Sequence, residues 1–132
     1  MTQIGKCGTL LIVEDNEALL ETYRDLLELE GYEVVTATNG QEALKALEII
    51  KHPCLILLDM FMPIMDGWEF LDQLKLRSED LITSLPIVIC SAAGASAEET
   101  SKQVRGYIRK PADIDLLLDT VKKFCRPPVA ND

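Results

Sequence analysis

Apolar runs and amphipathic segments alternate along most of the chain. Short runs of consecutive apolar residues predict buried strands, because a parallel strand covered on both faces has no polar side. Longer segments with apolar residues three and four positions apart predict helices. The predicted strands are Thr9–Val13, Glu33–Thr38, Cys54–Leu58, a run that starts at Pro86 and ends at Cys90, and about Val104–Arg109. The predicted helices are about Asn16–Glu30, a segment opened by Asn39-Gly40, about Gly67–Leu76, Ala97–Gln103 and Asp113–Phe124.

This order of elements predicts an α/β domain. Strands that alternate with helices favour a parallel sheet with right-handed crossovers and helices on both faces. Arg77–Ser84 is mostly polar and predicts a loop, and Ala92–Ser96 predicts a flexible loop. The final helix is predicted to bury a stripe made of Ile114, Leu117, Leu118 and Val121.

Length and charge narrow the class of protein. The 132 residues suit one domain with a real core. No apolar run approaches the ~20 residues of a membrane span, and no secretory signal is recognisable at the start, so a cytoplasmic protein is expected. The net charge of −9 argues against non-specific nucleic-acid binding and favours proteins or cations as partners.

The cysteines do not form a metal-binding pattern. Cys7, Cys54, Cys90 and Cys125 contain no C-x-x-C pair, and His52 is the one histidine, so a zinc site is not expected. Cys54 and Cys90 are predicted to be small buried residues, and disulfides are unexpected in a cytosolic protein. His52, beside Pro53, is predicted to be a solvated loop residue.

Polar side chains follow the predicted strands at the point where each strand ends. Glu14-Asp15 follows the first strand, Asp59 the third, Ser91 the fourth and Lys110 the fifth. In open α/β sheets, ligands bind outside the carboxyl ends of the strands. The sequence therefore predicts one site that contains three carboxylates, a hydroxyl and an ammonium group.

These groups suit phosphoryl transfer to a carboxylate. Crowded carboxylates favour a hard divalent cation such as Mg²⁺, with Asp15 and Asp59 as direct ligands and Glu14 acting through water. A carboxylate nucleophile can accept a phosphoryl group, and Ser91 and Lys110 can then bind its oxygens. Simpler roles remain open, since Asp59 can end a strand and Glu14-Asp15 can cap a helix.

The chain resembles the receiver domain of two-component response regulators, in particular the single-domain chemotaxis regulators. The resemblance extends from about Thr9 to Phe124. It implies a flavodoxin-like fold of five parallel strands in the order 2-1-3-4-5. The matching residues are the acidic pair Glu14-Asp15, the phosphoacceptor Asp59, the turn Met62-Pro63 with Met65-Asp66-Gly67, the pair Ser91-Ala92, Tyr107 and Lys110-Pro111.

The resemblance also implies roles for individual residues. The backbone carbonyl of Phe61 is expected to be a further Mg²⁺ ligand, and Ser91 and Tyr107 are expected to form the switch. The receiver domain is expected to cover residues 1–126, with residues 127–132 as a tail. The segment between Ser91 and Tyr107 is shorter than usual in the family, which predicts a shortened fourth helix region and an altered signalling surface.

Partners and alternatives follow from the same resemblance. A histidine kinase or histidine phosphotransfer protein would supply the phosphoryl group, a downstream protein would receive the signal, and the chain would be a monomer or weak dimer. It would be no turnover enzyme. A pseudo-receiver that never carries phosphate remains an alternative, as does a piece of a larger regulator or hybrid kinase. A haloacid-dehalogenase-like phosphatase is disfavoured, because Phe61 stands where that family has a second Asp.

Overall fold

The computed structural model describes residues 9–92 and 104–125. The strands are β1 (Thr9–Val13), β2 (Glu33–Ala37), β3 (Leu55–Leu58), β4 (Ile87–Ser91) and β5 (Gly106–Arg109). The helices are α1 (Glu17–Leu29), α2 (Gly40–Ile49), α3 (Gly67–Arg77), α4 (Glu79–Ser84) and α5 (Ile114–Phe124). The described residues do not include Cys7, the tail at residues 127–132, or the predicted helix Ala97–Gln103. The prediction of a shortened fourth helix region therefore also lies outside them.

The five strands form one parallel sheet in the order β2-β1-β3-β4-β5. This confirms the predicted α/β class and the order implied by the resemblance. In the register, Val13 pairs with Leu58 and Leu58 pairs with Ile89, so β1 and β3 end level with each other and β4 extends two residues further, to Ser91. Whatever follows these strands therefore meets at one edge of the sheet.

Alternate strand residues pack into two separate cores, because successive side chains of a strand point to opposite faces. One core joins Leu11, Ile56 and Ile89 to buried residues of α2 and α3. The other joins Leu10, Ile12, Leu55, Leu57 and Val88 to buried residues of α1 and α5. The helices thus cover both faces, as the apolar strands predicted. No helix in the described part of the chain has both the length and the apolarity needed to cross a membrane.

Local signals in the sequence define the helix ends. The Asn16 side chain accepts a hydrogen bond from the Leu19 N–H at 3.1 Å and caps α1. Gly31, with φ of 98°, closes α1, and the Tyr32 N–H donates to the Leu27 carbonyl. Asp66 and Glu69 form a reciprocal capping box at the start of α3. This box places α3 directly after the turn that follows Asp59.

Two predictions about helices were inaccurate. The predicted loop at Arg77–Ser84 was wrong, because Glu79–Ser84 forms α4. The Ser78 hydroxyl accepts a hydrogen bond from the Asp80 N–H at 3.1 Å, so a polar residue starts the helix where sequence composition suggested a loop. In α5, Leu117 and Val121 are fully buried while Ile114 is 38% exposed, so the buried stripe begins one turn later than predicted.

The expectation that disulfides are absent was also wrong. Cys54 and Cys125 form a disulfide with Cα atoms 5.2 Å apart, although 71 positions separate them in sequence. The topology brings the start of β3 and the end of α5 together, which no local pattern reveals. Cys54 is therefore half-buried and disulfide-bonded, and it is not the buried free cysteine that was predicted. Cys90 is free and buried, as predicted.

Gly67→Ala is expected to destabilise the protein by about 1–3 kcal/mol, the usual range for overpacking. A Cβ atom at Gly67 would lie 2.4 Å from Met60 Sδ, 2.7 Å from Met60 Cα and 2.9 Å from the Asp59 carbonyl oxygen. Two of these neighbours are backbone atoms, so a rotamer change cannot relieve the clash. Urea unfolding measures the effect.

Gly106→Ala is the matched control for this substitution. A Cβ atom at Gly106 would lie 3.6 Å from its nearest neighbour, Val88 Cγ2, which is an ordinary van der Waals contact. Its urea midpoint should stay close to that of the parent. Equal midpoints for the two variants would show that the turn between Met60 and Gly67 adapts without cost.

Candidate functional site

The three predicted carboxylates meet at the carboxyl edge of the sheet. Glu14 and Asp15 follow β1, and Asp59 follows β3; the Asp59 N–H donates to the Val13 carbonyl at 3.0 Å. One ligand oxygen from each of the three residues lies within 4.8 Å of the others. Glu14 and Asp59 are buried, and Asp15 is exposed. The three residues therefore form an acidic cluster that solvent reaches at Asp15.

Lys110 supplies the positive charge of this cluster. The Lys110 ammonium forms an ion pair with Glu14 Oε1 and lies 3.5 Å from Asp59 Oδ2. The Lys110 N–H donates to the Ser91 carbonyl at 2.9 Å, which ties the end of β5 to the end of β4, and the bond to Pro111 is cis. The structure therefore brings together all the strand-end residues that the sequence singled out.

The pairing of Lys110 with Glu14 is reflected in the pKa values of both groups. Burial raises the pKa of Glu14 and outweighs the hydrogen bonds from Lys110 and the Asn16 N–H, which act to lower it. Burial alone would lower the pKa of Lys110, but the hydrogen bond to Glu14 and the negative charges of Glu14 and Asp59 outweigh that effect and raise it. Lys110 therefore remains a cation at the centre of the site.

The two oxygens of Asp59 have different neighbours. Oδ1 accepts a hydrogen bond from the hydroxyl of fully buried Ser91 and another from the Phe61 N–H, each at 3.3 Å. Oδ2 faces Lys110 at 3.5 Å. A hydroxyl, a backbone N–H and an ammonium group thus converge on one buried carboxylate. Such donors are suited to stabilise negative charge that develops on a group attached there.

The donor set fits a hard divalent cation. Mg²⁺ prefers oxygen ligands, uses one or two carboxylates and keeps several waters. Both carboxylate oxygens of Glu14 are already occupied, Oε1 by Lys110 and Oε2 by the Asn16 N–H at 3.0 Å. Asp15 and Asp59 are therefore the residues that would reach a cation with least rearrangement, with Glu14 behind them.

Exposed apolar side chains follow Asp59 in the turn before α3. Phe61 is 47% exposed and contacts half-buried Trp68 edge to face, with ring centroids 5.1 Å apart. Ile64 is 72% exposed and adopts a left-handed backbone conformation with φ of 70°, which a β-branched residue rarely does. Sequence reasoning missed Ile64, because nothing local marks a left-handed isoleucine. Trp68 lies close enough to Phe61 to report on changes at the site.

Tyr107 lies on β5 opposite Ile89 and two strand residues before Arg109. It is half-buried and packs against the core shared with α2 and α3. Most of the predicted loop Ala92–Ser96, beneath which Tyr107 would turn inward, lies outside the described part of the chain. Its role in a switch therefore stays a prediction.

Comparison with known sequences points to one family. The family model for the response regulator receiver domain matches residues 10–122. The chain is similar to the polar-differentiation response regulator DivK of Brucella anthropi, with 34% identity over 119 residues. That alignment covers 88% of this chain and 94% of the relative, so the two proteins correspond over nearly their whole lengths.

Solved structures show the same fold. The response regulator TrrA of Thermotoga maritima, determined in complex with Mg²⁺-BeF, has a TM-score of 0.74 and 30% identity over 89% of this chain and 98% of TrrA. The signal receiver domain of a putative LuxO repressor protein from Vibrio parahaemolyticus has a TM-score of 0.77 and 26% identity over 89% of each chain.

Proposed function

Because this chain belongs to the response regulator receiver family, we propose that Asp59 accepts a phosphoryl group in a Mg²⁺-dependent reaction. The observation that carries the proposal is the convergence of Lys110, Ser91 and the Phe61 N–H on the Asp59 carboxylate. The phosphoryl group would come from a histidine kinase or a histidine phosphotransfer protein. The phosphorylated protein would signal from the cytoplasm by contact with a downstream protein.

The chemistry follows from the contacts of Asp59. One carboxylate oxygen forms the bond to phosphorus while the donor's leaving group departs with its electron pair, which gives an acyl phosphate. The Ser91 hydroxyl and the Phe61 N–H, which now bond to Oδ1, are placed to donate to phosphoryl oxygens. Lys110 needs only to turn from Glu14 to reach a phosphoryl group on Asp59, since it already lies 3.5 Å from Oδ2.

A bound cation completes the charge balance of this site. Asp15, Asp59 and the Phe61 backbone carbonyl would hold Mg²⁺, and Glu14 would act through water. When bound, Mg²⁺ would supply positive charge that neutralises the phosphoryl oxygens. The residues around Asp59 would orient its carboxylate as the nucleophile, keep Lys110 protonated and limit the access of water. The product stays attached to the chain, so the protein is a phosphoacceptor and no turnover enzyme on an external substrate.

Incubation with acetyl phosphate tests the proposal directly. With Mg²⁺ present, the intact mass is expected to rise by one phosphoryl group, and a chelator is expected to prevent the rise. Hydroxylamine should release the group, since it cleaves acyl phosphates and spares phosphoserine. A protein that gains no mass under these conditions would be a pseudo-receiver, a binding module that functions without phosphate.

Asp15→Asn is expected to weaken Mg²⁺ binding by roughly tenfold or more, because it removes a negative charge from a direct ligand. Glu14→Gln should cost less, since the Glu14 carboxylate is engaged by Lys110 and the Asn16 N–H. Titration of Mg²⁺ against Trp68 fluorescence measures both affinities. If both variants bind Mg²⁺ as tightly as the parent, the cation is held elsewhere.

A further inference from the structure

The Cys54–Cys125 disulfide lies at the end of the molecule opposite Asp59. Cys54 directly precedes β3 and Asp59 directly follows it, so the four residues of the strand, about 13 Å, separate the two. Cys125 directly follows α5. We propose that this cysteine pair is a reversible redox site, which exchanges with anionic low-molecular-weight thiols of the glutathione class.

The expected compartment favours a bond that opens and closes. Inside cells, thiols keep most disulfides reduced, and those that form there are usually transient and redox-sensing. A receiver that takes phosphate from an intracellular donor works under these conditions, so this reason for reversibility rests on the proposed function. The position and chemistry of the two cysteines are independent of it.

The two sulfur atoms differ in access. Cys54 is half-buried, whereas Cys125 is fully buried and packs in the core beneath α1 and α5. Thiol–disulfide exchange begins when a thiolate attacks one sulfur of the bond, and access decides which sulfur is attacked. Cys54 is therefore the sulfur that an incoming thiolate reaches, and Cys125 is the leaving group.

Lysines precede both bridged cysteines although the chain as a whole carries −9. Lys51 precedes Cys54, and Lys122 and Lys123 precede Cys125; all three are exposed. Each is within three residues of a bridged cysteine, so its Cα lies within about 10 Å of that cysteine. The acidic residues nearest along the chain are Asp59, which lies at the opposite end of β3, and Asp119, six positions before Cys125. Glu33 accepts a hydrogen bond from the Thr9 hydroxyl beside Cys54 and offsets part of this charge, but three lysines remain to favour the approach of an anionic thiol.

The reaction balances with two thiols. A glutathione thiolate forms a bond to Cys54 Sγ, the Cys54–Cys125 bond breaks, and the Cys125 thiolate leaves and takes a proton. A second glutathione thiolate then attacks the mixed disulfide, which releases the Cys54 thiolate to take a proton and forms glutathione disulfide. Two glutathione thiols are oxidised and the protein gains two hydrogen atoms. Glutathione disulfide drives the reverse reaction.

Single-cysteine variants test which sulfur reacts. In a Cys7→Ser background, Cys125→Ser leaves half-buried Cys54 unpaired, and glutathione disulfide is expected to modify it. Cys54→Ser leaves buried Cys125 unpaired, and its modification should be at least about tenfold slower, as burial limits thiol reactivity. Intact mass follows both reactions, and Cys90, which is buried, serves as the internal control. Equal rates for the two variants would overturn the assignment of Cys54.

A charge variant tests whether the lysines draw the thiol. With Lys122→Gln and Lys123→Gln combined, reduction of the bond by glutathione should slow roughly two- to fivefold, while reduction by uncharged 2-mercaptoethanol should not change. Lys45→Gln combined with Lys75→Gln changes the net charge equally on α2 and α3 and should leave both rates unchanged. Equal slowing in both double variants would show that only the overall charge matters.

The decisive test is whether glutathione reduces the Cys54–Cys125 bond in the folded parent protein. Glutathione in the concentration range of a cell is expected to reduce the bond in the folded protein, and glutathione disulfide to restore it. A bond that resists glutathione until the protein is unfolded would be structural, and the proposal would fail. Asp59 lies at the other end of β3, so phosphoryl uptake should be equal in the oxidised and reduced forms. A protein that cycles its disulfide but takes up no phosphate would refute the proposed function alone.

Discussion

Asp59→Asn is expected to abolish phosphoryl uptake from acetyl phosphate and leave the fold intact. The amide has no carboxylate nucleophile, so no acyl phosphate can form at this position. Its oxygen can still accept the hydrogen bonds that Ser91 and the Phe61 N–H donate to Oδ1, and Lys110 keeps Glu14 as an ion-pair partner. The loss should therefore be chemical and not a consequence of unfolding. Intact mass with Mg²⁺ present measures it.

Asp72→Asn is the matched control. Asp72 is an exposed acid on α3 and makes none of the contacts of Asp59, so its variant loses one negative charge and should take up phosphate like the parent. Phosphate at full stoichiometry in Asp59→Asn would assign the phosphoacceptor to another residue. Partial uptake that hydroxylamine does not release would point to a hydroxyl side reaction.

Removal of the Cys54–Cys125 bond is expected to lower the free energy of unfolding by about 4 kcal/mol. The bond closes a loop over a sequence separation of 71 residues and so restricts the unfolded chain strongly. Urea unfolding of the parent, with and without a strong reductant, measures the difference. The double variant Cys54→Ser/Cys125→Ser should match the reduced parent, since both lack the same cross-link.

Cys90→Ser provides a control for the effect of losing a thiol as such. Cys90 is buried and makes no disulfide, so its replacement changes packing but not chain connectivity, and reductant should shift its unfolding as much as that of the parent. Identical urea midpoints for the oxidised and reduced parent would mean that the bond adds nothing to stability under those conditions.

Local sequence patterns determined most of the fold. Consecutive apolar residues in β1, β3 and β4 are buried on both sides, and the helical spacing of Leu20, Tyr23 and Leu27 buries one face of α1. Asn16 and Gly31 bound that helix where their chemistry predicted it would start and stop. These features depend on residues only a few positions apart, and they can therefore be predicted from the sequence.

The residues of the candidate site could also be predicted from the sequence. Glu14, Asp15, Asp59, Ser91 and Lys110 each follow a predicted strand, and parallel strands must end at a common edge. Alternation of strands and helices was enough to infer that edge. The spacing of the residues along the chain, together with the family resemblance, then identified the type of site.

Only the tertiary structure determined which distant residues pair with each other. The sequence placed Glu14 and Lys110 in one site, but 96 positions separate them, and only the packed sheet shows that Lys110 pairs with Glu14 more closely than with Asp59. The Cys54–Cys125 bond arises in the same way, from two elements that meet because the sheet and helices pack together. Periodicity and capping act over a few residues, whereas contacts between distant segments depend on strand register and helix placement, which the complete packed chain determines.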